Sequence, residues 1–328
     1  MKKEMMSGLG VALALAMLAG GLAFAKDANA AGKRVGVVEL YNNPYWIDAE
    51  RGILEVAKPL GISVTTLNSD GDPATQSQNV INLISAQVDG VIIGPVAPAG
   101  AKADLGRLKD AGITAVCGDS CATEEDARPL VAGWATSAGA DLGHGVGRVA
   151  ADYIKAKLGG KATIAMVVCD SLGPVCSIRH DAINEELAAV PNTKVVAMQD
   201  AFQTEKAQPL VVDMLTAHPE VNVVVTNNQG GTEGAVAAVK QLGLAGKVVV
   251  FGIDMTNVAA NYLLEDPPIL MVAVGQDSYN VGKAAMQMVV DSWAGKPIDP
   301  FKRVVPVQKF ERADKDAIQK YLEEHKGM

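Results

Sequence analysis

From Lys33 onward the chain alternates short apolar, β-branched runs with segments whose apolar residues recur at helical spacing. No other feature constrains the fold as strongly. Runs at 34–40, 63–67, 90–94, 114–117 and 130–133 predict buried strands. The clearest helical segment lies between the second and third runs. There Asp72 is a candidate N-cap, Pro73 fits the first turn, and Val80, Leu83, Ile84 and Val88 make one apolar stripe. Strand and helix in alternation imply βαβ units, hence a parallel sheet with helices on both faces. The pattern then restarts. Runs at 162–168, 194–199, 221–226, 247–252 and 271–274 predict a second set of strands, separated by helical stretches such as 178–189 and 232–242. Two sets of about five strands imply two similar α/β lobes, doubly wound, rather than one sheet of ten. Gly and Ser accumulate at 136–141, ahead of a helix through Tyr153, and this places the boundary there. A helical stretch at 281–293 and a late strand at 303–307 follow the second set.

The first thirty residues are of another kind. Lys2 and Lys3 precede an apolar run over 9–24, and Ala23-Phe24-Ala25 or Ala28-Asn29-Ala30 supplies the small residues of a cleavage site. This is the pattern of a secretory signal peptide over residues 1–30; a membrane anchor is the competing reading, since the run approaches the ~18 residues needed to span a bilayer. With 328 residues in all, enough chain remains for two domains. Export would put the four cysteines in an oxidising compartment. They fall in two close pairs, Cys117/Cys121 and Cys169/Cys176, which suggests local disulfides. A zinc site competes, but only His180, four residues after Cys176, stands near either pair. A formal net charge of −8, with no basic run, argues against a nucleic-acid surface.

In open parallel sheets ligands bind beyond the carboxyl ends of the strands. The residues there are Asn42-Asn43-Pro44-Tyr45-Trp46, Gly118-Asp119-Ser120, Asp170-Ser171, Phe202, Asn227-Asn228, Ile253-Asp254 and Gln276-Asp277. Amides and carboxylates bond hydroxyl groups, and aromatic rings cover apolar C–H faces, so this set suits a neutral polyhydroxylated ligand. Two large aromatics in tandem are conspicuous in a chain with 4% aromatic residues.

Four motifs carry a family resemblance: the first strand running into Asn42-Asn43-Pro44-Tyr45-Trp46; 72–87 followed by Val88-Asp89-Gly90-Val91-Ile92-Ile93; Ala217-His218-Pro219-Glu220-Val221 followed by Thr226-Asn227-Asn228; and Phe251-Gly252-Ile253-Asp254. In this order and spacing the chain resembles, over about 34–307, the periplasmic sugar-binding proteins of the ribose/galactose type that serve ABC importers. The resemblance implies a type I periplasmic binding protein. Its N-terminal lobe would be 31–137 plus 277–305 and its C-terminal lobe 138–276 plus 306–328, joined by a multi-strand hinge. It implies a non-enzymatic, periplasmic monomer without cofactor or metal. Such a protein holds a sugar or polyol in its cleft and delivers it to a membrane-embedded permease. The implied ligand set is Asn43, Tyr45, Trp46, Asp119, Ser120 and, from the second lobe, Arg179, Phe202, Asn228, Asp254 and Gln276. Ser120 stands where ribose-type members often carry Arg, and the cysteine pairs flank the site loops. Both features leave the particular sugar open. On this reading Trp46→Ala should weaken ligand binding far more than it lowers the melting temperature of the empty protein.

Plainer roles compete at each position. Asn43 before Pro44 is a good helix N-cap, and Tyr45 and Trp46 could be core. Consecutive helical positions diverge by about 100°, however, so one narrow stripe cannot bury both. Arg179 could pair on the surface with Asp181 or Glu185, Asp254 could cap a helix, and His218-Pro219 reads as a helix-ending turn. Gly143-His144-Gly145-Val146-Gly147 lacks dinucleotide spacing, Gly160-Lys161-Ala162 lacks the rest of a phosphate loop, and no G-x-S-x-G elbow or acidic calcium loop is present. The rival classes are a sugar-responsive regulator or sensor partner on the same body, which would carry an N-terminal helix-turn-helix, and an exported hydrolase built on Asp170, Ser171 and His180.

Overall fold

The computed structural model describes residues 30–326. The signal-peptide reading of residues 1–30 therefore falls almost entirely outside the described part. In chain order the first series is β1 (Arg34–Glu39), α1 (Pro44–Ala57), β2 (Ser63–Asn68), α2 (Pro73–Ser85), β3 (Gly90–Ile93), α3 (Ala101–Asp110), β4 (Thr114–Gly118), α4 (Glu124–Ala127) and β5 (Gly133–Ser137). The second series is α5 (Gly139–Lys157), β6 (Lys161–Val168), α6 (Pro174–Leu187), β7 (Asn192–Asp200), α7 (Thr204–Ala217), β8 (Val223–Thr226), α8 (Gln229–Gln241), β9 (Val249–Ile253), α9 (Asn257–Leu264) and β10 (Leu270–Gly275). The chain ends with α10 (Ser278–Trp293), β11 (Lys302–Val305), β12 (Gln308–Glu311) and α11 (Lys315–Glu324).

These elements form two compact units. The first comprises the chain up to Thr136 together with Ser278–Arg303, the second Ser137–Asp277 together with the chain from Val304. Each unit is built on a six-stranded sheet, in the order β11-β5-β4-β3-β1-β2 and β12-β10-β9-β8-β6-β7. Strands β2, β1, β3, β4 and β5 run parallel, as do β7, β6, β8, β9 and β10, while β12 lies antiparallel to β10. The α/β class read from the alternation is the observed one.

Hydrophobic burial on both sheet faces explains the continuous apolar strands. In the first unit Val38, Val91, Ile93 and Ala115 pack against Val80 and Leu83 of α2 and Leu105 and Leu108 of α3. In the second, one face of the sheet packs on α5 and α6 through Leu142, Val146, Ile154, Ile183 and Phe251. Its other face packs on α7, α8 and α9 through Val211, Leu215, Val236, Val239 and Leu263.

One close helix pair in each unit depends on missing side chains. A Cβ at Gly52 of α1 would lie 1.9 Å from the Tyr279 carbonyl oxygen of α10, and one at Gly143 of α5 would lie 2.2 Å from the Arg179 carbonyl oxygen of α6. Gly143 and Gly147 thus serve the packing of α5 on α6. Asp48 of α1 completes the first pair: it accepts from the Ser278 hydroxyl at 2.8 Å and from the Tyr279 N–H at 3.1 Å, placing a carboxylate at the start of α10.

The division expected near 136–141 falls between Thr136 and Ser137, at the end of β5. Two expectations need correction. The fifth strand is Gly133–Ser137, not 130–133. Leu130 and Val131 instead pack at the end of the first core, and pairing with β4 begins at Gly133. Each sheet has six strands rather than about five, because β11 and β12 complete the edges. Among the described residues no helix is long and apolar enough to cross a membrane.

Candidate functional site

At the first strand end of the first unit, Asn43 caps α1: its Oδ1 accepts from the Trp46 N–H at 3.1 Å, and Pro44 takes the first helical position. Tyr45 and Trp46 follow on diverging directions, with ring centroids 5.6 Å apart and planes at 77°. Trp46 is 3% exposed. Its ring lies over Gly94, where an added Cβ would come within 2.3 Å, and over Gly118 at the end of β4. Glycine is therefore required at 94, while at 118 the ring makes an ordinary contact. With the ring buried, Trp46→Ala is expected to cost substantial stability as well as the binding on which the sequence reading laid the greater loss.

Asp119 lies just beyond β4, with a φ of 66°, in the left-handed region that non-glycine residues seldom adopt. Its N–H donates to the Ala135 carbonyl at 2.9 Å, and its own carbonyl accepts from the Trp134 indole at 2.8 Å. Ser120 donates its hydroxyl to the Pro95 carbonyl at 3.1 Å. A disulfide between Cys117 and Cys121 closes this loop.

The second unit repeats the arrangement with different residues. Asp254 follows β9, again at positive φ, 70°. Burial of its carboxyl group pushes its pKa up, while the Arg179 charge, a hydrogen bond from the Gln276 side chain and one from the Gln229 backbone act in the opposite direction. Arg179 is 8% exposed. One of its terminal nitrogens donates to the Asn227 carbonyl at 3.5 Å, and its Nε has no hydrogen-bond partner among the described residues. Arg179, Asp254 and Gln276 are thus brought together.

Asn228 is fully buried and caps α8: Oδ1 accepts from the Gly231 N–H at 2.8 Å, and Nδ2 donates to the Ala201 carbonyl at 3.1 Å and to Asn227 Oδ1 at 3.2 Å. Its amide fixes the loop carrying Phe202, whose side chain is 40% exposed. Gly230 reinforces the contact, since a Cβ there would meet the Phe202 carbonyl oxygen at 2.1 Å.

The second disulfide, Cys169–Cys176, encloses Asp170. Sequence reasoning did not anticipate the network around it. Asp170 Oδ2 lies 2.7 Å from His180 Nδ1, the Cys176 carbonyl accepts from Asn227 Nδ2 at 3.1 Å, and Ser171 bonds Asp200 through both N–H and hydroxyl. Ser171 points its hydroxyl to Asp200, 2.6 Å away, and His180 to Asp170, so these three residues are not assembled as a hydrolytic triad. With the cysteines bonded, the zinc reading lacks its thiolates; among the described residues no cluster of three His, Cys, Asp or Glu side chains could hold a metal ion.

Glu39, at the end of β1, was not singled out by sequence. It alternates with Val38, which faces α2 and α3, and so turns toward α1. Burial and the nearby Glu50 carboxylate raise its pKa from 4.5 to about 7. The folded state therefore binds a proton that the unfolded chain releases, and stability falls as pH rises from about 4.5 through about 7. We expect Glu39→Gln to match the parent near pH 4.5 and to exceed it by up to roughly 3 kcal/mol at pH 8. Urea midpoints at the two pH values check this; equal differences at both would contradict it.

Two doubly wound units, each presenting a carboxylate, aromatics and amides at its carboxyl strand ends, define a small-molecule binding protein. The chain belongs to the periplasmic binding protein domain family, whose model matches residues 35–297. It is 29% identical over 275 residues to the ABC transporter periplasmic-binding protein YphF of Escherichia coli, covering 83% of each chain. It is 27% identical over 281 residues to the ribose import binding protein RbsB of Bacillus subtilis, covering 84% of this chain and 87% of that one. Among solved structures, the binding component of the Shewanella arabinose ABC transporter, bound to L-arabinofuranose, superposes with a TM-score of 0.80 at 21% identity, covering 89% and 96% of the two chains.

Proposed function

We propose that this protein is the solute-binding component of an ABC importer, acting in the periplasm after removal of its N-terminal segment. It captures a neutral monosaccharide or related polyol, delivers it to a membrane permease, works as a monomer and performs no chemistry on its cargo. The observation that carries the reading is the matched pair of strand-end carboxylates. Asp119 and Asp254 both hold left-handed backbone, one in each unit, beside aromatic residues and hydrogen-bonding amides. Carboxylates accept from sugar hydroxyls, Arg179 and Gln276 supply donors, Tyr45 and Phe202 supply faces for the apolar side of a ring, and the buried Trp46 backs Tyr45.

A thermal-shift panel tests the reading. D-ribose, D-allose, L-arabinose and myo-inositol are the first members, and a ligand at 100 times its Kd adds roughly 2.7 kcal/mol of stability. At least one neutral sugar or polyol should raise the Tm by several degrees; no shift with any of them counts against the proposal.

A further inference from the structure

We propose that Trp134 is a positioning residue for Asp119, holding the carboxylate in its binding orientation through the indole N–H. The inference rests on the reading of Asp119 as a ligand contact. Aspartate enters left-handed backbone more readily than most residues but still at a cost, so its contacts must hold it at a φ of 66°. The five-residue loop closed by Cys117–Cys121 limits how far the chain can move but leaves the peptide after Asp119 free to rotate. What fixes that peptide is its carbonyl. The oxygen accepts from Trp134 Nε1 at 2.8 Å, while the preceding N–H is tied to Ala135 at 2.9 Å. Adjacent residues of β5 thus grip Asp119 from both sides, one by side chain and one by backbone.

The indole is itself framed. The Trp134 backbone N–H donates to the Phe301 carbonyl at 2.8 Å, and Lys302 Nζ stands 4.0 Å from the ring centroid. The donor therefore rests on a framed ring, with Phe301 and Lys302 as its frame at the start of β11. If the N–H were lost, rotation of the Asp119 carbonyl would carry the side chain away from its strand-end position. The ring itself needs no N–H to pack under Lys302.

Trp134→Phe separates these roles, because it keeps an aromatic face for Lys302 and removes only the donor. In ligand-free, non-reduced protein we expect the Ser120 amide proton, which belongs to the peptide whose carbonyl Trp134 holds, to exchange about tenfold faster in this variant. The amides of Val116 and Cys117 should be unchanged. Unaltered exchange at Ser120 overturns the proposal. The second arm is calorimetric affinity for whichever of D-ribose, D-allose, L-arabinose or myo-inositol the parent protein binds. Trp134→Phe should weaken it about tenfold. In an Asp119→Gly background, which retains the left-handed backbone but has no carboxylate, the same substitution should change nothing further. Equal losses in both backgrounds would show that Trp134 acts independently of Asp119, which also overturns the proposal. A parent protein that binds none of the four counts against the sugar reading, and the exchange measurement still decides the positioning role.

Discussion

Replacing Trp46 with alanine should lower the stability of the empty protein by about 3–5 kcal/mol and weaken sugar binding in the same variant. The first effect follows from burial. The ring is 3% exposed and fills space that Gly94 and Gly118 leave open, so truncation removes a large apolar group and leaves a cavity between helix and sheet end. The second follows from what the ring supports. Tyr45 packs edge-on against it, and Asp119 lies one residue beyond Gly118. Trp46→Phe refills much of the cavity and should recover most of the stability. Denaturant midpoints of the three proteins, read beside their affinities, check this. A midpoint for Trp46→Ala within about 1 kcal/mol of the parent would contradict the assigned packing.

Arg179→Ala should cost at least about 100-fold in affinity, because the guanidinium is the buried cation of the second set. It should also destabilise the empty protein in a pH-dependent way. Burial already raises the pKa of Asp254, and the Arg179 charge is a cause that opposes the rise. Without that charge the folded-state pKa climbs further above the unfolded value. The variant then binds a proton on folding, and its stability falls as pH increases. Its deficit relative to the parent should be smallest in acid and largest near neutrality. Arg179→Lys keeps the charge but loses the planar fork, and should recover stability more fully than affinity. A deficit independent of pH would remove the Asp254 coupling from the account.

Much of this was legible in the sequence because it is local. Alternating periodicities gave two α/β series, Asn43-Pro44 and Asp72-Pro73 marked helix starts that the side chains do cap, and strand ends pointed to the residues that gather at each sheet edge. What stayed hidden depends on partners distant in sequence. The burial of Trp46 requires Gly94, which as sequence is only a strand end. That Gly143 of α5 admits the α6 backbone is apparent only when the two helices are laid together. Strand β12, Gln308–Glu311, carries one buried apolar residue, Phe310, and so has no apolar run to read. Asn228 reads as a ligand contact, yet its amide ties a helix start to the Phe202 loop across 27 residues. Asp170 and His180 flag a hydrolase only while Asp200, which takes the Ser171 hydroxyl, is out of view.

Sugar affinity is proposed to depend on both Asp119 and Arg179. Isothermal titration of the parent, Asp119→Gly and Arg179→Ala proteins with the best ligand from the sugar panel tests it most directly. The account predicts one sugar per parent chain, and a loss of at least tenfold in affinity from either substitution alone. Parent-like affinity in either variant, or two sugars bound per chain, would contradict it.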